Sequence, residues 1–320
     1  MIMPFYNGGY KDLPDTTTPI SAAAMNFAEA PKLLGGGLLI NGNFDIWQRG
    51  TSFTGSGYTA DRWEAFVGNP IINRVVNPFP TNAKYALEYN FNSTSTTLQQ
   101  QIENPNNVLL NKEITFSAWL VSDIPVTCVI RLRNETLGVN IQDKGISITT
   151  TPTQFTFTYN ASASWNVDDI ILLRLFSSIS DNSATITVGQ VKFEVGEVAT
   201  EFIPKTEAEE LRDCQRYYQR LQATSGTIQP YYGNGQAYST TRALIVIPIF
   251  VPLRITPTIA ISALSLTTAV GGLTPVTALS PTQSCSNVIK IDVTSSGIVA
   301  GNATMLLGDS ASYVELDAEL

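Results

Sequence analysis

The sequence predicts an all-β fold with one short helix: an antiparallel jelly-roll sandwich, then a helix, then a β-rich C-terminal domain. Three observations carry this. From residue 38 to residue 203, short β-like runs are separated by turn residues, with no helical period between them. Many of the runs alternate with period two, as where Phe116, Ala118 and Leu120 alternate with Thr115, Ser117 and Trp119. Finally, 43% of residues are hydrophobic but only 14% are charged, so Thr, Ser, Asn and Gln fill the polar positions, which suits strand faces. At 320 residues the chain is long enough for two modest domains.

Residues 1–37 do not read as a compact domain. Pro- and Thr-rich irregular sequence leads into SAAAMNFAEA, a short helix capped by Ser21 or an earlier Thr. Gly35 to Gly37 then act as a stop and a hinge. So small a segment buries no core of its own and is expected to dock elsewhere.

Residues 38–204 supply the strands of the sandwich: RWEAFV, YALEYNF, TLQQQI, EITFSAWLV, VTCVIRLR, TQFTFTYNA, DIILLRLF and ATITVGQVKFEV.

Residues 205–223 hold the helix, KTEAEELRDCQRYYQRLQ over 205–222. Thr206 and Glu209 form a T-x-x-E capping box. Glu207, Glu209 and Glu210 open the helix and Arg212, Arg216 and Arg220 follow, as its dipole favours. Leu211, Cys214, Tyr218 and Leu221 recur with a heptad-like spacing. Two readings stand: a helix packed on its own sandwich, or a seam at a subunit interface.

Residues 224–320 form the C-terminal domain. TSGTIQPYYGNGQAYSTT reads as a loop or linker, and β-patterning resumes in RALIVIPIFVPLRITPTIAIS, NVIKIDVTSS and SYVELDAEL. ALIVIPIF is apolar on both faces and is expected to be covered on both, with copies of the same domain as the natural cover.

The chemistry is bounded by what is missing. There is no histidine, so a Ser-His-Asp triad, a Cys-His dyad and His-ligated zinc are excluded. Asp45, Asp61, Glu64 and Glu88 are scattered and nothing marks a catalytic pair, so the chain is expected not to be an enzyme. Cys128, Cys214 and Cys285 are odd in number and far apart, which gives neither a disulfide framework nor a thiolate metal site. No cofactor is expected, and a calcium site is left open. The net charge of −8, with no basic run, argues against a nucleic-acid partner. The N-terminus does not read as a signal peptide, and no run approaches the roughly 20 apolar residues of a membrane span, so no membrane insertion is expected.

One cluster stands out: Trp47, Arg49, Tyr58, Asp61, Arg62 and Trp63. Aromatic rings stack on sugars while Arg and Asp bind hydroxyls, which makes these glycan-binding candidates. The competing reading closes a core with the aromatic rings and pairs Asp61 with Arg62 beside a buried Trp63. Tyr231, Tyr232 and Tyr238, with loops 264–286 and 294–312, are candidates for an exposed tip.

NGNFDIWQRGTSFT followed by YTADRW resembles the opening of a domain common in tailed-bacteriophage tail fibres and receptor-binding proteins. VKFEVGEVATEFIPKTEAEELRDCQRYYQR is similar to its closing stretch, and PIFVPLRITPTIAIS through SYVELDAEL to the domain that follows it. Together these cover most of residues 38–320. DLPDTTTPISAAAMN is similar to segments that attach such fibres to the tail. The resemblance implies a jelly roll akin to carbohydrate-binding modules and a homotrimer located in the virion tail. It implies attachment to tail or baseplate proteins through residues 1–37 and recognition of a host surface glycan or receptor. The alternatives are a glycan-binding module acting through the jelly roll, and a ligand-free spacer or decoration protein. Unlike many such fibres, this chain carries neither a long shaft nor an enzymatic β-helix.

Overall fold

A computed structural model of the chain describes residues 37–319 apart from 93–95, 104, 106–108, 161–165, 167, 224–228, 269–271 and 282–283. The helix read in SAAAMNFAEA and nearly all of the attachment segment lie outside the described residues. The described residues are mostly antiparallel β-sheet with a short helix.

The sandwich is built, among the described residues, from β1 (Ser52–Thr54), β2 (Gly57–Tyr58), β3 (Glu64–Phe66), β4 (Ile71–Val76), β5 (Tyr85–Asn90), β6 (Thr97–Gln101), β7 (Glu113–Ser122), β8 (Val126–Asn134), β9 (Val139–Ile148), β10 (Thr153–Asn160), β11 (Ile171–Leu175) and β12 (Thr185–Val195). Sheet A runs β1-β4-β5-β12-β7-β10 and sheet B runs β2-β3-β6-β11-β8-β9. The period-two pattern sets which side chains fill the space between them. Phe116, Ala118 and Leu120 of β7 are fully buried in a core shared with Ile130 and Leu132 of β8 and Ile171 and Leu173 of β11. Phe116 lies opposite Phe157 of β10, with ring centroids 4.8 Å apart. Each such buried ring contributes about 1.5–3 kcal/mol.

The chain continues into α1 (Glu207–Gln215), β13 (Tyr218–Gln222), β14 (Tyr231–Ala237), β15 (Arg242–Pro248), β16 (Thr258–Thr268), β17 (Leu273–Pro275), β18 (Ala278–Pro281), β19 (Val288–Thr294) and β20 (Ala303–Asp317). These strands make sheet C, ordered β17-β16-β20-β14-β15-β19-β18, with β13 also on β20. Its core is separate from that of the sandwich and includes Ile245, Ile247, Ile289, Ile291, Leu306 and Val314.

The capping box forms as its residues dictate: the Glu209 amide donates to Thr206 Oγ1 at 3.3 Å and the Thr206 amide to Glu209 Oε2 at 2.9 Å. The helix is shorter than its pattern predicted. It stops at Gln215, because residues 218–222 pair across their whole length with β20, from Tyr218 opposite Asp317 to Gln222 opposite Tyr313. A ladder of backbone hydrogen bonds overrides helix propensity there. Leu211 and Cys214 therefore sit on α1 while Tyr218 and Leu221 sit on a strand, so the four residues form no continuous helical seam. Cys214 and Tyr218 are buried within their own chain.

Two further expectations are corrected. The stretch 224–241, read as loop or linker, contains β14; its glycines mark close approach to β15 rather than turns. A Cβ on Gly235 would lie 1.7 Å from the Leu244 carbonyl oxygen. Within its own chain ALIVIPIF is covered on one face, where Ala243, Ile245 and Ile247 are buried; Val246 on the other face is 42% exposed, which leaves that face open to the second cover the sequence calls for. The loops proposed at 264–286 and 294–312 likewise hold β17, β18 and parts of β16 and β20.

Candidate functional site

The cluster at 47–63 is assembled, but most of it faces inward. Residues 59–63 form a tight turn in which the Trp63 amide donates to the Ala60 carbonyl at 2.8 Å and Arg62 takes a left-handed φ of 71°. The turn sends Asp61, Arg62 and Trp63 in different directions. Trp63 enters the core against Phe44, 5.2 Å between centroids, and its Nε1 donates to the Asn41 carbonyl at 3.0 Å. Trp47 is buried too, near Phe53, with Nε1 donating to the Phe44 carbonyl at 2.6 Å. Asp61 accepts from the Gln48 amide at 2.9 Å, and burial pushes its carboxyl up to about 6 although the Gln48 hydrogen bonds pull it down. Neither tryptophan nor Asp61 offers a surface to a sugar, so the glycan assignment of these three is corrected to a structural one.

The two arginines explain why this stretch and CQRYYQR occur together. The Arg62 guanidinium lies 3.7 Å from the centre of the Tyr217 ring, and that of Arg49 lies 3.5 Å from the centre of Tyr218. Both reach the same acidic end of the chain. Arg62 pairs with Glu319, and Arg49 Nη2 lies 3.3 Å from Glu319 Oε1 and 3.2 Å from Asp317 Oδ2. Arg216 holds Glu103 at 2.7 and 2.9 Å, and Tyr217 donates to the same carboxylate at 2.6 Å. Burial would raise the Glu103 pKa, but these hydrogen bonds outweigh it and hold the carboxyl below its usual value. The result is a clasp of stacked cations and acids that joins the sandwich to sheet C.

Tyr58 and Arg62 also reach an open recess of about 140 Å³ on the outer face of sheet B. The alternation of β3, β6 and β11 turns Glu64 and Phe66, Gln99 and Gln101, and Leu172 and Arg174 toward it. The polar groups are pre-set. Arg174 Nε donates to Gln99 Oε1 at 2.7 Å, its Nη2 to Glu135 Oε2 at 2.9 Å, and Gln99 Nε2 to Glu64 Oε2 at 2.8 Å. Burial, the largest cause, lowers the Arg174 pKa against the pull of Glu135. Phe66 is 37% exposed, and the Arg174 guanidinium lies 5.1 Å from its ring centre. Arg62 Nε is buried without a hydrogen-bond partner among the described residues. Sequence reasoning missed Phe66, Gln99 and Arg174; their outward register was readable, but their convergence depends on strands distant in the chain.

At the far domain, Tyr231 is 55% and Tyr238 48% exposed. The Tyr238 hydroxyl donates to Asp292 Oδ2 at 2.7 Å, leaving its ring at the surface. Tyr232 is not a tip residue: it belongs to the sheet C core, with its hydroxyl donating to the Ser312 carbonyl at 2.8 Å. Cys128 and Cys214 are buried and Cys285 is exposed, all as free thiols, and burial pushes Cys128 up to about 12. Among the described residues no group of three or more His, Cys, Asp or Glu is placed to hold a metal ion, and no helix is long and apolar enough to cross a membrane.

No family model matches the chain, and no curated protein matches it. Solved structures with a similar fold include the CBM22-1 xylan-binding domain from Paenibacillus barcinonensis Xyn10C, 12% identical, covering 52% of this chain and 98% of that one with a TM-score of 0.34. The C-terminal family 22 carbohydrate-binding module of Clostridium thermocellum Xyn10B is 14% identical over 45% of this chain and 98% of its own, with a TM-score of 0.33. An arabinose-bound MgGH51 α-L-arabinofuranosidase is 15% identical over 51% of this chain, with a TM-score of 0.37; this chain spans 27% of its length. Likeness this low leaves the function to be argued from the chain's own geometry.

Proposed function

We propose that this chain is a non-enzymatic glycan-recognition protein, a short phage tail fibre whose jelly roll meets host-surface sugar at the sheet B recess. The observation that carries the glycan reading is that recess: an exposed Phe66 ring beside a guanidinium, an amide and two carboxylates already bonded to one another. A rigid polar network next to an aromatic face supplies orientation and stacking together. At about 140 Å³ the recess takes one ring or ring substituent, and the rest of a glycan lies along the sheet. The fibre part rests on the resemblance of the opening and closing motifs, with residues 1–37 as the attachment segment and a homotrimer as the assembly. Trimerisation would raise avidity from weak single sites.

The test is a glycan array probed with the purified chain and with Phe66→Ala, together with its solution mass by light scattering. A bound glycan lost on Phe66→Ala supports the site, and a mass of three chains supports the fibre. No bound glycan, or none whose binding depends on Phe66, removes the recess as a binding site.

The clasp favours a second reading, in which the sandwich is a spacer that aims sheet C and its exposed Tyr231 and Tyr238 at the receptor. Retained glycan or cell binding by a chain lacking 38–204 would decide for it.

A further inference from the structure

We infer that sheet A carries a second, separate binding cleft, one built for a neutral hydroxyl-rich glycan segment. It is an open cavity of about 730 Å³ on the face opposite sheet B, within the roughly 300–1,000 Å³ of small-molecule sites. Trp119 of β7 lines it with Gln154 and Thr156 of β10, Gln190 of β12 and Asn82.

Three features make this a built site. First, β12 carries a β-bulge between Gly189 and Lys192, and within it Gln190 takes a left-handed φ of 49°. A bulge re-aims side chains, and a non-glycine residue held at positive φ is strained. Here the strain puts an amide into the cleft. Second, Trp119 is propped from one side. Gly189 lets the Phe79 ring lie on the sheet, since a Cβ there would meet Phe79 Cε2 at 2.8 Å. Phe79 is buried, and its ring centroid lies 6.1 Å from that of Trp119. Third, the wall formed by 196–201 is riveted to the sheet. The Thr200 amide and hydroxyl each donate to Glu194 at 2.7 Å, Lys192 Nζ donates to the Glu201 carbonyl at 2.9 Å, and Thr158 Oγ1 to the Glu197 carbonyl at 3.1 Å. A wall held in this way costs no ordering when ligand arrives.

The lining then selects the ligand. The side chains of Asn82, Gln154 and Gln190, and Trp119 Nε1, make no hydrogen bond to another described residue, so donors and acceptors are free. Trp47 and Trp63, by contrast, spend theirs inside the core. Glu201 is the one ionisable group among the described lining residues. The nearby Lys192 is 1% exposed and paired with Glu194 at 3.1 Å. With no cation facing the cleft, a polyanion finds no partner. Free amides beside an indole face suit the hydroxyls and apolar face of an uncharged sugar.

The test is an array of neutral oligosaccharides, including xylohexaose, cellohexaose and mannohexaose, beside acidic hyaluronan and polygalacturonate fragments. It is probed with the full chain and with Trp119→Ala, Gln190→Gly and Phe66→Ala. Gln190→Gly relieves the left-handed backbone while removing the amide, so its melting temperature should hold or rise; lost binding is then not misfolding. The expected result is a neutral glycan whose binding falls about tenfold or more in Trp119→Ala and Gln190→Gly and survives Phe66→Ala. Binding lost only in Phe66→Ala overturns the second cleft and leaves the sheet B site standing. Binding lost only in the sheet A variants supports the second cleft, and the sheet B site falls only if no glycan on the array depends on Phe66. No neutral glycan bound, or an acidic one bound through Trp119, overturns the inference.

Discussion

Replacing Arg62 with Met should loosen sheet C from the sandwich, at a cost the clasp allows to be worked out. The Arg62 and Glu319 side chains are 2% and 4% exposed. Removing one member of a buried pair costs about 3–5 kcal/mol, because the other charge is left without its partner. Arg49 Nη2, 3.3 Å from Glu319 Oε1, offsets part of that. Losing the stack on Tyr217 and the bond from Arg62 Nη2 to the Gln101 carbonyl, 3.1 Å, adds about 2 kcal/mol more. These contributions share atoms and do not simply add, so about 4 kcal/mol is expected. That is a large fraction of the ~5–15 kcal/mol that stabilises a typical domain. Guanidinium denaturation followed by fluorescence reads it, and the variant should split into two transitions, with sheet C melting first. A cycle with Glu319→Gln should show coupling of about 2 kcal/mol or more. A loss under about 1 kcal/mol, or additivity within about 0.5 kcal/mol, would refute the clasp as the joint's main fastening.

Other expectations follow from single groups. Burial lifts Asp61 to about 6 from 3.8, so the folded state holds its proton more tightly than the unfolded chain. Its contribution to stability is therefore greatest at acid pH and is lost as pH rises through about 4 to 6, by roughly 3 kcal/mol. Urea titrations at pH 4 and pH 7 should show wild type losing that much relative to Asp61→Asn. Thr206→Ala removes the capping box and should cost about 1 kcal/mol, read as a lower melting temperature. Gly235→Ala places a Cβ against the Leu244 carbonyl and should destabilise sheet C by about 2 kcal/mol or more, with the sandwich transition unmoved.

What the sequence disclosed was local. Alternation in β7 identified Phe116, Ala118 and Leu120 as core, and T-x-x-E located the start of α1, because both depend on neighbours a few residues away. The end of α1 was hidden, because residues 218–222 answer to β20, about a hundred positions on. Arg49 and Arg62 stood out as chemistry, yet their partners at 217, 218 and 317–319 could not be read from spacing. Trp119 was visibly on the polar side of its strand, but its cleft is walled by segments near 80 and 200.

The longest strand sets the order in which the molecule can be made. β20 pairs with β13, β14 and β16, so three strands wait on one partner. During synthesis the sandwich can close while the ribosome is still some hundred residues from delivering Asp317 to Tyr218. Until then β14 and β16 present unpaired edges, the state in which β-proteins associate wrongly. A lower rate of expression, which dilutes the chains that carry those open edges, should therefore raise the soluble yield of the whole chain more than that of the sandwich alone.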